Sequence, residues 1–211
     1  MLLSEINAQF DLRFENLTTA GTIGLDDYEK SICLTYGQLE LVKAYAEAED
    51  LLHIDGTIDF NSMTPATSNN YEKAYEASPL NAIKILDRTL IDTVDNTYRI
   101  MGEVVPASTI REMINAPYKY PPKNVVYVLV GENAEIVFPP IGFQVGDYIR
   151  RYVKYPTPVI LTQLSGADSI DGLQAPTDSI LSDTGQNEMI TVAVAFAIET
   201  YVGQPKQSTN Q

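Results

Sequence analysis

Near the C-terminal end, ten uncharged residues follow one another from Met189 to Ile198 (MITVAVAFAI), inside a segment from Asp183 to Tyr201 that reads as one helix. Apolar side chains surround most of its girth, so the helix has to be enclosed by something. A bilayer is excluded as the enclosure, because a spanning helix needs about 20 apolar residues. The rest of the chain must therefore wrap it. Gln186 stands three residues after Asp183 in capping register, and Gly203 and Pro205 end the helix. Residues 204–211 read as a disordered tail.

The first sixty residues offer helical partners. Leu3, Ile6, Phe10, Phe14 and Leu17 keep one apolar face of a 3.6-residue period, with Ser4 as a candidate cap. Phe10, Leu12 and Phe14 also alternate, so a short strand competes there. Asp26 followed by Glu29 forms a capping box, with Leu25 placed as its staple. Tyr28, Ile32, Leu39, Val42 and Ala46 continue that second helix, in which Gly37 marks a kink or a tight crossing.

Residues 61–79 lose the apolar pattern and gain Ser, Thr, Asn and Pro, which reads as a loop or linker. Strand vocabulary follows. Arg88 to Val94 alternates weakly, Thr109 and Glu112 are in capping register for a short helix, and Val125–Val130 with Ala134–Phe138 reads as a hairpin with a buried first strand. Gly146-Asp147 carries a two-residue turn signal ahead of Tyr148 to Tyr155, and Pro156 and Pro158 end the ladder. Thr162 to Ser182 is long and polar. The expected organisation is an acidic helical region (1–60), a linker or loop (61–80), an α+β sheet region (81–161), an exposed loop or arm (162–182), a C-terminal helix (183–203) and the tail. The fold class is α+β: an N-terminal helical hairpin, a compact antiparallel β-sheet and a C-terminal packing helix.

Charge narrows the function. The net charge is −14, of which residues 1–60 supply −9 (3 Lys/Arg against 12 Asp/Glu) and residues 162–211 supply −5 (1 against 6), around a middle at 106–161 of +2 (6 against 4). Such a chain does not coat nucleic acid by neutralising phosphates. Acidic flanks and a basic centre suit head-to-tail contact between copies. Met1-Leu2-Leu3 is followed at once by Ser4-Glu5, without the basic region and apolar core of a secretory signal.

Catalytic inventory is thin. The single histidine, His53, lies between Leu52 and Ile54 without a nucleophile-elbow pattern, and the single cysteine, Cys33, sits mid-helix as a buried, inert thiol. Asp26, Asp27 and Glu29 are explained as first-turn acids that complement the helix dipole. Asp168 and Asp171 faintly suggest a calcium loop, but their spacing does not match one. No phosphate-binding glycine loop occurs. The expectation is no catalytic residue, no metal site and no cofactor.

Tyrosine and the basic strand point to contact instead. There are 13 Tyr and no Trp, and tyrosine joins large rigid area to a polar tip. Tyr118 and Tyr120 lie in the proline-framed run Pro117–Pro122. Tyr148, Arg150, Tyr152 and Lys154 share one face of a strand, and Tyr155 follows them. These seven residues are the candidate partner interface, with an acidic neighbour preferred over single-stranded nucleic acid.

Gly24–Ser31, Leu34-Thr35, Gln38–Val42, Pro106-Ala107-Ser108, Asn115–Pro121, Tyr148–Leu161 and the helix Glu188–Tyr201 together resemble virion structural proteins of crAss-like tailed bacteriophages. The resemblance implies a ring-forming protein of the neck, the head–tail connector. That ring would be a cyclic homo-oligomer, a dodecamer matching the portal, with the portal protein and other neck or tail proteins as partners. Genome DNA would pass its acidic lumen without specific binding, and assembly would take place in the host cytoplasm, with no membrane involved. A tail-hub or tail-completion protein is the alternative, and a small virion-carried hydrolase is the alternative from another class.

Overall fold

The computed structural model describes residues 1–18, 24–63, 65–68, 73–76, 82–92, 99–115, 121, 125–131, 134–140 and 145–202. Its helices are α1 (Leu3–Leu17), α2 (Asp27–Ala48), α3 (Ala107–Asn115) and α4 (Asp183–Ala197). Its strands are β1 (Ile58–Met63), β2 (Pro65–Ser68), β3 (Lys73–Glu76), β4 (Ala82–Asp92), β5 (Arg99–Val104), β6 (Val125–Val130), β7 (Ala134–Phe138) and β8 (Val145–Lys154). The class is α+β. The chain divides into a helical unit, Met1–Thr57 with Tyr155–Gln211, and a sheet unit, Ile58–Lys154, inserted between those two halves.

In the helical unit, α4 packs against both α1 and α2. This is the enclosure that its apolar girth demands: Met189, Ile190, Ala193, Val194 and Ala197 are all buried. Ser182 caps α4 one residue ahead of Asp183, accepting from the Gly185 N–H at 3.4 Å. A π-helical turn, Ile198–Val202, continues it. In α1 the helical period wins over the alternating one, because Ile6, Phe10 and Phe14 are buried while Leu12 is exposed. The capping box of α2 is formed on both sides: Glu29 N–H donates to Asp26 at 2.8 Å, and Asp26 N–H donates to Glu29 at 3.0 Å. Gly37 is a tight crossing. A Cβ there would lie 2.7 Å from the Met189 carbonyl oxygen and 3.2 Å from the Ala193 Cβ.

A polar stripe on α2 holds the chain that follows the sheet unit. Gln38 Nε2 donates to the Thr157 carbonyl (2.7 Å), Thr35 Oγ1 accepts from Val159 N–H (3.0 Å), and Ser31 Oγ accepts from Leu161 N–H (3.1 Å). Ser31, Thr35 and Gln38 are one helical turn apart, and each turn matches two residues of extended chain. Most of residues 162–182, expected as an exposed loop or arm, are exposed, and the segment is anchored at a few points. Ile160, Leu164 and Ile170 bury themselves against Tyr28 and Ile32, and Gln38 Oε1 accepts from Ser179 Oγ and Ile180 N–H at 2.7 and 3.1 Å.

The sheet unit is one eight-stranded sheet in the order β1-β8-β4-β5-β6-β7-β3-β2. Every ladder is antiparallel except β5–β6. That parallel pair departs from the all-antiparallel expectation because α3 makes the crossover between its strands. α3 begins at Ala107, so Thr109 falls inside the first turn, its N–H donating to the Pro106 carbonyl at 3.0 Å, and does not serve as a cap. Of residues 61–80, expected as a linker or loop, the described ones form strand: the end of β1, β2 and β3, of which β3 pairs along β7. Gly146-Asp147 is not a turn either. Leu90 pairs with Tyr148 and Asp92 with Val145, so Gly146 and Asp147 face Ile91 alone as a β-bulge within β8.

The sheet is curled. β1 and β2 stand at opposite ends of the strand order, yet position 64 alone separates them in sequence. Met63, Leu90, Ile100, Val126, Val128, Val137 and Tyr148 fill the concave side. On the convex side α3 covers β6 and β7, where Ile110 and Met113 meet Tyr127, Leu129, Ile136 and Phe138. Both faces of β6 are thus apolar, which is why its sequence reads as a continuous run.

Candidate functional site

The basic strand does not present its cations as expected. Tyr148 and Arg150 are 0% and 2% exposed and point into the sheet's interior. There the Glu135 carboxylate of β7 accepts from the Tyr148 hydroxyl, lies 3.2 Å from Arg88 Nη2 and 3.6 Å from Arg150 Nη1. Arg150 Nη2 also donates to Asn61 at 3.1 Å. β7 is separated from β4 by two strands in the sheet, so the contact crosses the interior. Burial first, and the bond to Glu135 second, push the Tyr148 phenol well above the ordinary tyrosine range. Arg150 Nε has no hydrogen-bond partner among the described residues.

The other cations of β8 are engaged as well. Arg151 pairs with Asp87 at 3.5 Å, and Lys154 pairs with Asp59 at 3.5 Å. Tyr152 is half-buried and Tyr155 is 43% exposed. Tyr118 and Tyr120 lie outside the described residues. Of the seven candidates, Tyr152, Lys154 and Tyr155 therefore keep surface for a partner.

Charge is sorted between the units. The helical unit holds 4 Lys/Arg against 17 Asp/Glu, or −13, and the sheet unit holds 10 against 11, or −1. The basic centre read from sequence is thus cancelled inside its own unit.

Sequence reasoning missed a sheet surface. Between the bulge at Leu86 of β4 and the one at Gly146-Asp147 of β8, the side chains opposite to the buried set face outward over β1, β8, β4 and β5. One cross-strand row runs Ser62, Ile149, Thr89, Met101; the next runs Phe60, Arg151, Asp87; and Ile91 stands beside Arg99. Phe60 is 64% and Met101 57% exposed. Among the described residues of this unit, the one helix, α3, lies elsewhere, over β6 and β7. The alternation Arg99, Met101, Glu103 around Ile100 was the available signal.

His53, Ser182 and Asp50 meet in the helical unit, with Nδ1 2.9 Å from Ser182 Oγ and Nε2 3.9 Å from Asp50 Oδ2. A catalytic triad has the opposite ring orientation, with the carboxylate on Nδ1 and the serine on Nε2. Ser182 Oγ is moreover the cap of α4, and the imidazole sits on Tyr45 with ring centres 5.1 Å apart. The arrangement fastens the 3-10 turn Leu51–His53 to the start of α4. Cys33 is fully buried, and burial pushes its thiol up to about 12, which removes the thiolate needed for attack. Tyr45 is pushed up to about 12 by burial and by its 2.6 Å bond to Glu188.

Asp26 and Glu29 are spent on the α2 cap, and Asp27 accepts from Thr162 at 3.1 Å. The 166–174 loop is closed by Gln174 Nε2, which donates to the Gly166 and Asp168 carbonyls at 3.3 and 3.0 Å. Among the described residues no three His, Cys, Asp or Glu side chains converge as for a metal ion. Nor is any described helix long and apolar enough to cross a membrane. A shallow cavity of about 260 Å³ between α1 and α4 is lined by Arg13, Asn16, Leu17, Thr191 and Val194. Its one cation, Arg13, is already bound to Asn187 and Thr191 at 2.8 and 2.6 Å. Each of these groups is thus engaged in capping, packing or hydrogen bonding.

The chain is 25% identical over 232 aligned residues to ring protein 4/5 of Bacteroides phage crAss001, covering 99% of this chain and 97% of that one. It is 23% identical over 223 residues to ring protein 3 of the same phage, covering 94% and 95%. Residues 80–210, from the start of β4 through α4, match the family model described as phage tail ring protein 3/4. The chain belongs to that family.

Proposed function

We propose that this protein is a non-enzymatic structural component of a tailed-phage virion, building a cyclic homo-oligomeric ring in the neck between portal and tail. The observation that carries the reading is the extent of the family match: residues 80–210 take in β4 to β8, α3 and α4. A shared role in ring building is then a property of the sheet and the terminal helix, and these make the ring contacts. The family's description as a tail ring protein favours the tail side of that neck.

The remaining features fit a structural role. His53 and Cys33 are used in packing, and a ring subunit needs complementary surfaces that close by rotation. The ring takes the portal's symmetry as a dodecamer, contacts the portal and other neck or tail proteins, and assembles in the host cytoplasm. A net charge of −14 keeps passing genome DNA from adhering to its lumen.

The test is the native mass and negative-stain image of the purified full chain, alone and mixed with portal. Closed rings of one size are expected. A chain that stays monomeric at all concentrations, with and without portal, overturns the proposal.

A further inference from the structure

Resting on the ring reading, we infer that the bare outer face of β1-β8-β4-β5 is one half of the contact between neighbouring copies, and that a second copy of this chain covers it. Two apolar side chains there, Phe60 and Met101, are 64% and 57% exposed, and Ile149 and Ile91 lie between them on the same face. Scattered single apolar residues need no explanation, but four on one uncovered sheet face mark an interaction surface.

Charge selects the occupant. Two helical units brought together would each carry −13, and their repulsion opposes association. The outer face is balanced instead: Arg151 and Asp87 pair at 3.5 Å, and Arg99 and Glu103 stand two residues before and two after Met101 on the same side of β5. On a chain of −14, this is a face that a like-charged copy can approach without repulsion. An acidic or basic foreign partner would gain nothing from a neutral face. A sheet-unit contact of this kind also explains why the family match can begin at β4, since β4, β5 and β8 supply most of the face. The next copy contributes its own sheet unit, and the apposition is heterologous, as closure by rotation requires.

The experiment compares the full chain with the double variant Phe60→Asp, Met101→Asp, reading native mass against concentration and thermal melting. Arg111→Glu on α3, which lies off the face, serves as control. The wild type and control are expected to form rings, while the double variant keeps its melting profile and needs at least about tenfold more protein to assemble. Rings formed equally well by the double variant overturn the face and leave the ring reading standing. A wild type that never assembles overturns both. Should the double variant fail to fold, oxidative footprinting of the wild type decides: Met101 protected in the ring fraction relative to monomer supports the face, and equal oxidation in the two overturns it.

Discussion

The carboxylate of Glu135 on β7 lies 3.2 Å from the guanidinium of Arg88 on β4, across the interior of the sheet unit and not along one of its ladders. With Arg150 and Tyr148 it forms a buried polar strut in an otherwise apolar core. Among the described residues Glu135 is the one acid paired with these two guanidinium groups, so its removal leaves uncompensated charge. Glu135→Ala is expected to cost about 3–5 kcal/mol, and Glu135→Gln less, because the amide oxygen can still accept from Tyr148. Urea unfolding followed by tyrosine fluorescence checks this; an alanine variant within about 0.5 kcal/mol of wild type would show that the strut is not holding the curl.

The α2–α4 crossing makes an opposite demand on a small residue. Gly37→Ala places a methyl group 2.7 Å from the Met189 carbonyl and should cost about 1–3 kcal/mol through overpacking. Gly24→Ala, where nothing lies within 4 Å, is the matched control and should leave the melting temperature unchanged or slightly raised. Equal melting temperatures for the two variants would mean that the helices slide apart at no cost.

Gln38 is fully buried and makes three hydrogen bonds, to Thr157, Ser179 and Ile180. Gln38→Leu keeps the volume and abandons those partners, at about 1–3 kcal/mol for each group left unsatisfied. Hydrogen exchange at the Ile180 amide is expected to accelerate by about tenfold or more. Unchanged protection there would assign the tethering of 155–182 to its apolar contacts alone.

Tyr45 gives a pH dependence of defined sign. Its phenol is pushed from 10.0 up to about 12 in the folded chain by burial and by Glu188, so the folded state holds that proton more tightly than the unfolded state. The associated stability is complete below pH 10 and is lost as pH rises towards about 12. Tyr45→Phe should therefore flatten the decline of the urea midpoint over that window without altering it near neutrality beyond the lost hydrogen bond. Identical alkaline slopes would exclude Tyr45 as a contributor. Cys33, pushed up from 9.0 to about 12, adds a decline of the same sign that begins about one pH unit earlier.

What the sequence made legible follows the strength of its apolar signals. The girth of α4, the box at Asp26 and Glu29 and the run of β6 each state their environment in the residues themselves. β2 and β3 were illegible because PATS and KAYE carry almost no apolar alternation, and their place is fixed by backbone pairing along β7. The stripe Ser31, Thr35, Gln38 has the spacing of a buried helix face but polar identity, so it reads as solvated until the 157–161 segment is seen lying on it. The candidate interface suffered from the same ambiguity. Alternation identified which side chains of β8 share a face, but not which face is inside, and an arginine read as surface turned out to be the partner of a buried glutamate. The face carrying Phe60 and Met101 went unread because its strands come from three separated stretches of chain, β1, β4 with β5, and β8.

The order in which the units occupy the chain has a consequence for biogenesis. α1 and α2 are synthesised before the inserted unit and α4 after it, so the packing of α4 on both early helices forms only once the sheet unit has been made. All strands of the inserted unit emerge before that point, so the curled sheet can close while the two early helices still lack α4 as a partner. A nascent chain stalled short of Asp183 would thus leave the surfaces of α1 and α2 that α4 covers open to chaperones until that helix is released.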